Sequence, residues 1–179
     1  MPCSPIGYCQ IRNSTHISGN GSPMKSIFNT HSKKHSLREW IQVKEYEVYV
    51  HHVIDQEYIF NEGSKRIIYI EAEYRNQTQL ENMSCRSNQW HIFSEDGYCF
   101  DTVPSLFSAV YYQDKPYFGG DRIINPGRHA RGWFAFEIPF EKKIHYLQFM
   151  NAILGTKTAE IEFENNVEIE ASKDLSNIK

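Results

Sequence analysis

Hydrophobic residues recur at every second position in several short segments of this chain. Side chains of an extended strand point alternately to the two faces of a sheet, so a period of two predicts a half-buried strand. The first such segment begins near Tyr46. One face of it carries Tyr46, Val48, Val50, His52 and Ile54. The other face carries Glu47, Tyr49, His51 and Val53.

The second alternating segment spans Arg66 to Arg75, after a predicted turn at Glu62-Gly63-Ser64, and Asn76 ends it. Its predicted inward residues are Ile68, Ile70, Ala72 and Tyr74. Tyr69, Glu71 and Glu73 are predicted to point outward. We interpret the Glu71 and Glu73 carboxylates as solubilising groups, because an exposed pair has no burial to separate its two pKa values for catalysis.

The most strand-like apolar run is Trp133 to Ile138, which lies between Gly132 and Pro139. We predict that it is a central strand on which the other strands pack. A hairpin turn is predicted at Glu95-Asp96-Gly97, because Asp-Gly readily adopts positive φ. The remaining strand segments are Gln89–Phe93, Tyr98–Phe100, Ile144–Met150 and Thr158–Ala171, the last with a bulge or turn at Asn165-Asn166. Pro104 to Tyr112 is compatible with a short strand or one helical turn.

About seven or eight short strands with frequent turns predict an all-β protein, either an antiparallel sandwich or a barrel. The predicted core consists of Val48, Val50, Ile68, Ile70, Phe134, Phe136, Ile161 and Phe163. Aromatic residues make up 14% of the chain, which favours strands because large rings cover pleated surfaces.

The chain has 179 residues, a length that suits one domain and a tail. Residues 1–38 are predicted to be a flexible polar linker, residues 39–171 the β domain, and residues 172–179 a C-terminal tail. The net charge of −3 gives no support to nucleic-acid binding. No apolar run approaches the length of a membrane span, and no signal peptide is visible.

Two stretches resemble a known family. The segment from Trp90 to Tyr98 is similar to its hairpin with an acidic-Gly turn, and the segment from Asn125 to Pro139 is similar to its signature of Pro-Gly, Gly, aromatic strand and Pro. This is the uncharacterised immunoglobulin-like domain family of bacterial and archaeal secreted proteins and lipoproteins, whose fold is shared with a mycobacterial immunoprotective antigen. The resemblance implies an immunoglobulin-like sandwich and an extracytoplasmic setting, but no activity.

Candidate chemistry is sparse, and we predict no catalytic residue, no cofactor and no metal ligand. His51 and His52 are adjacent, so a regular strand would place them on opposite faces. Glu95, Asp96 and Asp101 lack the spacing of a calcium loop. Cys85 and Cys99 are compatible with a disulfide, with free thiols or with metal binding, and either could pair with His91 only as an activated thiol.

The predicted function is therefore a non-catalytic binding or adhesion module on a tether. The alternative is a metal-binding or hydrolytic protein that uses His and Cys residues. The candidate binding residues are the loop aromatics Tyr111, Tyr112, Tyr117 and Phe118. Tyr offers a large contact area at low entropic cost, although these rings could instead cap the core. The expected partner is a protein or a cell-envelope ligand, and the expected location is extracytoplasmic or at the cell surface.

Overall fold

A computed structural model describes residues 34–103, 109–118, 121–151, 158–163 and 166–176 of the chain. These residues form thirteen strands in three sheets. The two larger sheets face each other across one hydrophobic core, which contains all eight of the predicted core residues. The predicted all-β sandwich is therefore confirmed. The strands outnumber the prediction because several of them have only two or three residues, too few to show a period.

The six-stranded sheet is built on a long antiparallel hairpin, β3 (Tyr46–Phe60) and β4 (Gly63–Asn76). The other strands of this sheet are β2 (Ile41–Val43), β9 (His129–Glu137), β12 (Glu168–Ile169) and β13 (Lys173–Asp174). The strand order is β12-β3-β4-β9, and β2 and β13 also pair with β3. Strands β12 and β13 run parallel to β3.

The strands of the five-stranded sheet are β1 (Lys34–Ser36), β6 (Trp90–Ser94), β7 (Cys99–Asp101), β10 (Ile144–Met150) and β11 (Thr158–Glu162). Their order in the sheet is β1-β11-β10-β6-β7. Gly97, with a φ of 85°, closes the β6–β7 hairpin as predicted. The third sheet pairs β5 (Met83–Cys85) with β8 (Arg122–Ile124), and short 3-10 turns occupy Ser87–Gln89 and Ala109–Tyr112.

The prediction that the Trp133–Ile138 segment is a central strand is wrong. Strand β9 pairs with β4 on one side only, and its other edge is covered by irregular chain. Trp133 donates its backbone N–H to Pro116 O and accepts from Phe118 N–H, both at 3.0 Å. The backbone oxygen of Ala135 accepts from Val103 N–H at 2.7 Å. The irregular chain at Val103, Pro116 and Phe118 thus protects an edge of β9 that would otherwise present unpaired backbone groups.

Gly132 is the residue that lets this covering segment approach. A Cβ atom at Gly132 would lie 2.6 Å from the Cα atom of Phe118. Because that contact is with backbone, a side chain at this position could be accommodated only by moving the segment. The glycine before the aromatic run is therefore required by close packing.

A β-bulge in β3 changes the predicted faces of that strand. The register shifts between Val50, which pairs with Ala72, and His52, which pairs with Glu71. Val53 consequently lies in the main core, whereas Ile54 joins a second hydrophobic cluster on the other side of the sheet. The sequence predicted the opposite faces for these two residues, because a bulge adds one residue and reverses the alternation.

Most of the predicted flexible linker, residues 1–33, lies outside the described residues. Within its last part, β1 pairs in parallel with β11. The predicted C-terminal tail contributes β13. In the part of the chain that the structure describes, there is no helix with the length and apolarity needed to cross a membrane.

Candidate functional site: a histidine–carboxylate face

The outer face of the six-stranded sheet carries a connected group of titratable side chains from four strands. We call this group the histidine–carboxylate face. It consists of His51, His52, Glu71, Glu73, His129, Arg131 and Glu168. Directly opposite and diagonal positions on neighbouring strands are close enough for such side chains to pair.

Glu71 is bound by a bidentate ion pair. Arg131 donates from Nε to Oε1 of Glu71 at 2.9 Å and from Nη2 to Oε2 at 2.7 Å. This fork geometry fixes both groups, since the planar guanidinium matches the two oxygens of a carboxylate. The pairing with Glu71 also raises the pKa of Arg131 above its ordinary value. His52, the register partner of Glu71, places its Nε2 atom 3.9 Å from Oε2.

Glu73 lies between two histidines. Its Oε2 atom accepts from Nε2 of His51 at 2.7 Å, and its Oε1 atom accepts from Nδ1 of His129 at 2.8 Å. Burial raises the pKa of Glu73, but the hydrogen bonds from His129 and His51 outweigh burial and hold that pKa below its ordinary value. The carboxylate therefore stays ionised in this environment.

The bulge in β3 is what places both histidines here. His51 follows the inward Val50, and His52 pairs with the outward Glu71, so both rings lie on the outer face. The prediction that His51 and His52 occupy opposite faces is wrong for this reason. His51 contacts the ring of Tyr49, and His52 stacks on Trp133 with a 21° interplanar angle.

Strand β12 closes one side of the face. Glu168 accepts from Nδ1 of His52 at 2.9 Å and from Nη2 of Arg38 at 3.3 Å. This strand is reached only after the chain has passed from one sheet to the other. No local pattern could have predicted that Glu168 meets His52, which is 116 residues away in sequence.

The interpretation of Glu71 and Glu73 as exposed solubilising groups is wrong. Each residue is only 9% exposed, because the histidines, Arg131 and the neighbouring strands cover it. The sequence did place both carboxylates on the outward side of β4. It could not show that the outward side is itself covered.

The predicted aromatic binding loop packs against the protein. Phe118 is fully buried and contacts the rings of Tyr74 and Phe134, and Tyr111 lies in the second hydrophobic cluster. The Tyr112 hydroxyl donates to Val103 O and accepts from Ala135 N–H, both at 2.9 Å. The ring of Tyr117 contacts that of Tyr112. These positions match the alternative in which the rings cap the core, so they do not form an exposed aromatic surface.

Of the three alternatives for Cys85 and Cys99, the structure forms no disulfide between them. Cys85 lies in the main core, and burial raises the pKa of its thiol to about 12, which makes it unreactive. Cys99 lies on β7 and alternates with the buried Phe100, so it faces away from that core. The two sulfurs therefore belong to opposite sides of the five-stranded sheet.

A groove of about 400 Å³ lies at one end of the sandwich, lined in part by Asp55, Arg66 and Lys143. Arg66 bonds Asp55 through Nε and Nη2 and donates Nη1 to the Lys142 backbone oxygen. These bonds occupy the partly buried guanidinium, so the groove offers little recognition chemistry at its base. In the turn at Glu95-Asp96-Gly97, the carboxylate of Asp96 forms an ion pair with Lys142.

The sequence matches no protein-family model and no curated protein. Solved structures with a similar fold nevertheless include the following two. The yjhA protein of Bacillus subtilis is 13% identical, with 72% of this chain and 98% of that chain covered and a TM-score of 0.53. The secreted protein MPT63 of Mycobacterium tuberculosis is 11% identical, with 73% and 98% covered and a TM-score of 0.52.

At such low identity these likenesses show the fold alone. They confirm the sandwich fold that the resemblance to the immunoglobulin-like family implied. One neighbour is a secreted protein. The likeness covers most of this chain and nearly the whole of both neighbours.

Proposed function

We propose that this protein is a non-catalytic binding module whose contact surface is the histidine–carboxylate face. The observation that carries the proposal is that nearly buried carboxylates hold Arg131 and His129 in fixed orientations through hydrogen bonds. The side chains of Arg131 and His129 remain 48% and 61% exposed, so each presents a fixed edge to solvent.

Preorganisation makes such a surface suitable for binding. Ordering a long side chain at an interface costs about 0.5–1.5 kcal/mol, and a guanidinium that is already fixed avoids most of that cost. A bidentate Glu71–Arg131 pair on a rigid sheet therefore suits recognition better than a mobile surface arginine. Arg131 and His129 offer donors, so the complementary group is an acceptor such as a carboxylate or a backbone carbonyl.

The same pairings support a non-catalytic role. Both oxygens of Glu71 accept from Arg131, and both oxygens of Glu73 accept from histidines. A general base must instead direct an oxygen or nitrogen at a substrate proton. The low pKa of Glu73 further weakens it as a base at neutral pH.

We place the module outside the cytoplasm, with a protein or a cell-envelope component as its partner. The support is the secreted nature of MPT63 together with the family resemblance of the sequence. A mixed surface of fixed donors and acceptors is typical of wet, polar protein interfaces.

The proposal is tested by capture on the immobilised protein. The test variant is Arg131→Gln with His129→Gln, which keeps a polar side chain at each position and removes the fixed charged edge. The control is Lys65→Gln with Glu137→Gln, an exposed ion pair on the same two strands, β4 and β9. Solubilised cell-envelope proteins and cell-envelope polysaccharide serve as separate probes, and competition with soluble wild-type protein defines specific capture.

The test variant should lose specific capture, and the control should retain it. Because the test variant leaves the Glu71 carboxylate without its cation, its unfolding temperature should fall, so capture is compared at a temperature at which circular dichroism shows both variants folded. Equal capture by the test variant would locate the contact elsewhere on the protein. An absence of any competed capture would contradict the binding proposal.

A further inference from the structure

We propose that His91, Cys99 and Asp101 form a binding site for a borderline divalent ion of the Zn²⁺ class. One ring nitrogen of His91, the sulfur of Cys99 and one carboxylate oxygen of Asp101 all lie within 4.8 Å of one another. These residues lie on the five-stranded sheet. The site is therefore independent of the histidine–carboxylate face, and either proposal can fail without the other.

The β6–β7 hairpin brings the three donors together. His91 and Asp101 are register partners, and Cys99 pairs with Phe93, one step from the turn. The intervening Ile92 and Phe100 are buried in the core, so the three donors share the opposite face. The tight turn at Gly97 fixes this register, because a slip of one residue would exchange the two faces.

The donor set selects the type of ion. Thiolate, imidazole and carboxylate together are typical Zn²⁺ ligands, whereas Ca²⁺ and Mg²⁺ prefer oxygen donors alone. Zinc bonds to N, O and S are about 2.0–2.3 Å long, which places tetrahedral donors about 3.3–3.8 Å apart. Donors already within 4.8 Å reach that spacing through small side-chain rotations, and the Asp101 side chain is 57% exposed, so solvent surrounds much of it.

The two ring nitrogens of His91 have different surroundings. Its Nδ1 atom lies 2.9 Å from Oδ1 of Asp101, while its Nε2 atom is buried with no hydrogen-bond partner among the described residues. An ion bound at Nδ1 would replace the hydrogen bond to Asp101, whereas an ion bound at Nε2 would keep Asp101 as the hydrogen-bond partner that orients the ring. The imidazole is thus desolvated and held beside a thiol and a carboxylate, as metal-binding histidines are.

The surroundings would strengthen binding. Phe93, the register partner of Cys99, stacks on Tyr146 with ring centroids 4.9 Å apart. Aromatic rings beside the donors lower the local dielectric constant, which increases the attraction between a cation and a thiolate. Three protein ligands leave a fourth tetrahedral position for water or for an incoming ligand, the arrangement of exchangeable zinc sites.

The test uses the reduced full-length protein and Co²⁺, a spectroscopic substitute for Zn²⁺. Wild type should bind one equivalent and show sulfur-to-cobalt charge-transfer absorption, which Zn²⁺ should abolish by competition. Cys99→Ser should remove that absorption, and His91→Gln and Asp101→Asn should each weaken Zn²⁺ binding by about tenfold or more. Asp101 is exposed, so its variant keeps the test valid if a change at the other two positions impairs folding.

Two matched controls decide the location. The double variant Cys3→Ser, Cys9→Ser removes the two thiols that precede residue 34, where the described part of the chain begins, and His145→Gln removes an exposed histidine on the neighbouring strand β10. Both should bind Zn²⁺ as wild type does. The proposal is overturned if Cys99→Ser retains the cobalt–sulfur absorption, if the Cys3, Cys9 variant loses it, or if wild type binds no ion.

Discussion

The two faces of the six-stranded sheet carry different chemistry. The inner face presents Ile68, Ile70, Phe134 and Phe136, which pack in the main core. The outer face divides into an apolar part around Tyr58 and Tyr69 and the histidine–carboxylate face. In the apolar part, Tyr58 and Tyr69 join their hydroxyls at 2.7 Å, and Tyr69 donates to Tyr111 O at 2.8 Å.

The difference shows how one sheet can combine stability with recognition. Burial of apolar side chains on the inner face stabilises the fold through the hydrophobic effect, which is non-directional and involves no charged groups. On the outer face, covered carboxylates are tolerated because each is paired, and the loss of one partner would leave an uncompensated charge. The inner face should therefore respond to changes in volume, and the outer face to changes in charge and pH.

The largest effect is expected on the inner face. Phe136→Ala should lower the free energy of unfolding by about 3–5 kcal/mol, because it removes a fully buried ring and leaves a cavity. Urea denaturation measures the change. Phe140→Ala is the control, since Phe140 is 52% exposed and should contribute little. A loss below about 1 kcal/mol for Phe136→Ala would contradict the inward orientation of β9.

The next effect concerns the edge of the sheet. Gly132→Ala should cost about 1–3 kcal/mol, because the new methyl group collides with the backbone of Phe118. Hydrogen exchange should accelerate at the backbone amides of Trp133 and Ala135, whose partners belong to the displaced segment. Ala130→Gly on the same strand is a control that removes a methyl group without a collision. Unchanged exchange in Gly132→Ala would show that the segment does not depend on this close approach.

A smaller effect is expected from removing one charge on the outer face. Glu73→Gln should lower stability by about 1–2 kcal/mol, because hydrogen bonds to a charged acceptor are stronger than those to an amide. Glu137→Gln breaks an exposed pair on the neighbouring strand and should change stability by less than about 1 kcal/mol. If the two variants lowered stability equally, the burial of Glu73 would not strengthen its hydrogen bonds.

The smallest effect is a pH dependence of the same group. The folded-state pKa of Glu73 lies below the ordinary value of 4.5, so the native state binds its proton less readily than the unfolded state. Its contribution is therefore complete above that value and is lost as the pH falls through the folded pKa. The stability difference between wild type and Glu73→Gln should shrink as the pH falls below about 4.5. A constant difference would contradict the lowered pKa.

The period of two was sufficient for much of the fold. It identified the inward residues of β3 up to Val50, of β4 and of β9, because alternation is a local consequence of an extended backbone. It also identified β10 with its observed bounds and the turn at Gly97. The period of two did not predict the candidate functional site. The candidate loop aromatics pack against the rest of the protein.

What the sequence determined by itself was therefore local: which segments are strands, which side faces the core and where the tight turns lie. The tertiary structure alone decided that β9 is an edge, that a bulge turns His51 and His52 to one face, and that Glu168 reaches His52. It also decided that His91, Cys99 and Asp101 form one cluster. The physical reason is that strand order, register shifts and covering segments arise from contacts between residues far apart in the chain, and a short-range period carries no information about them.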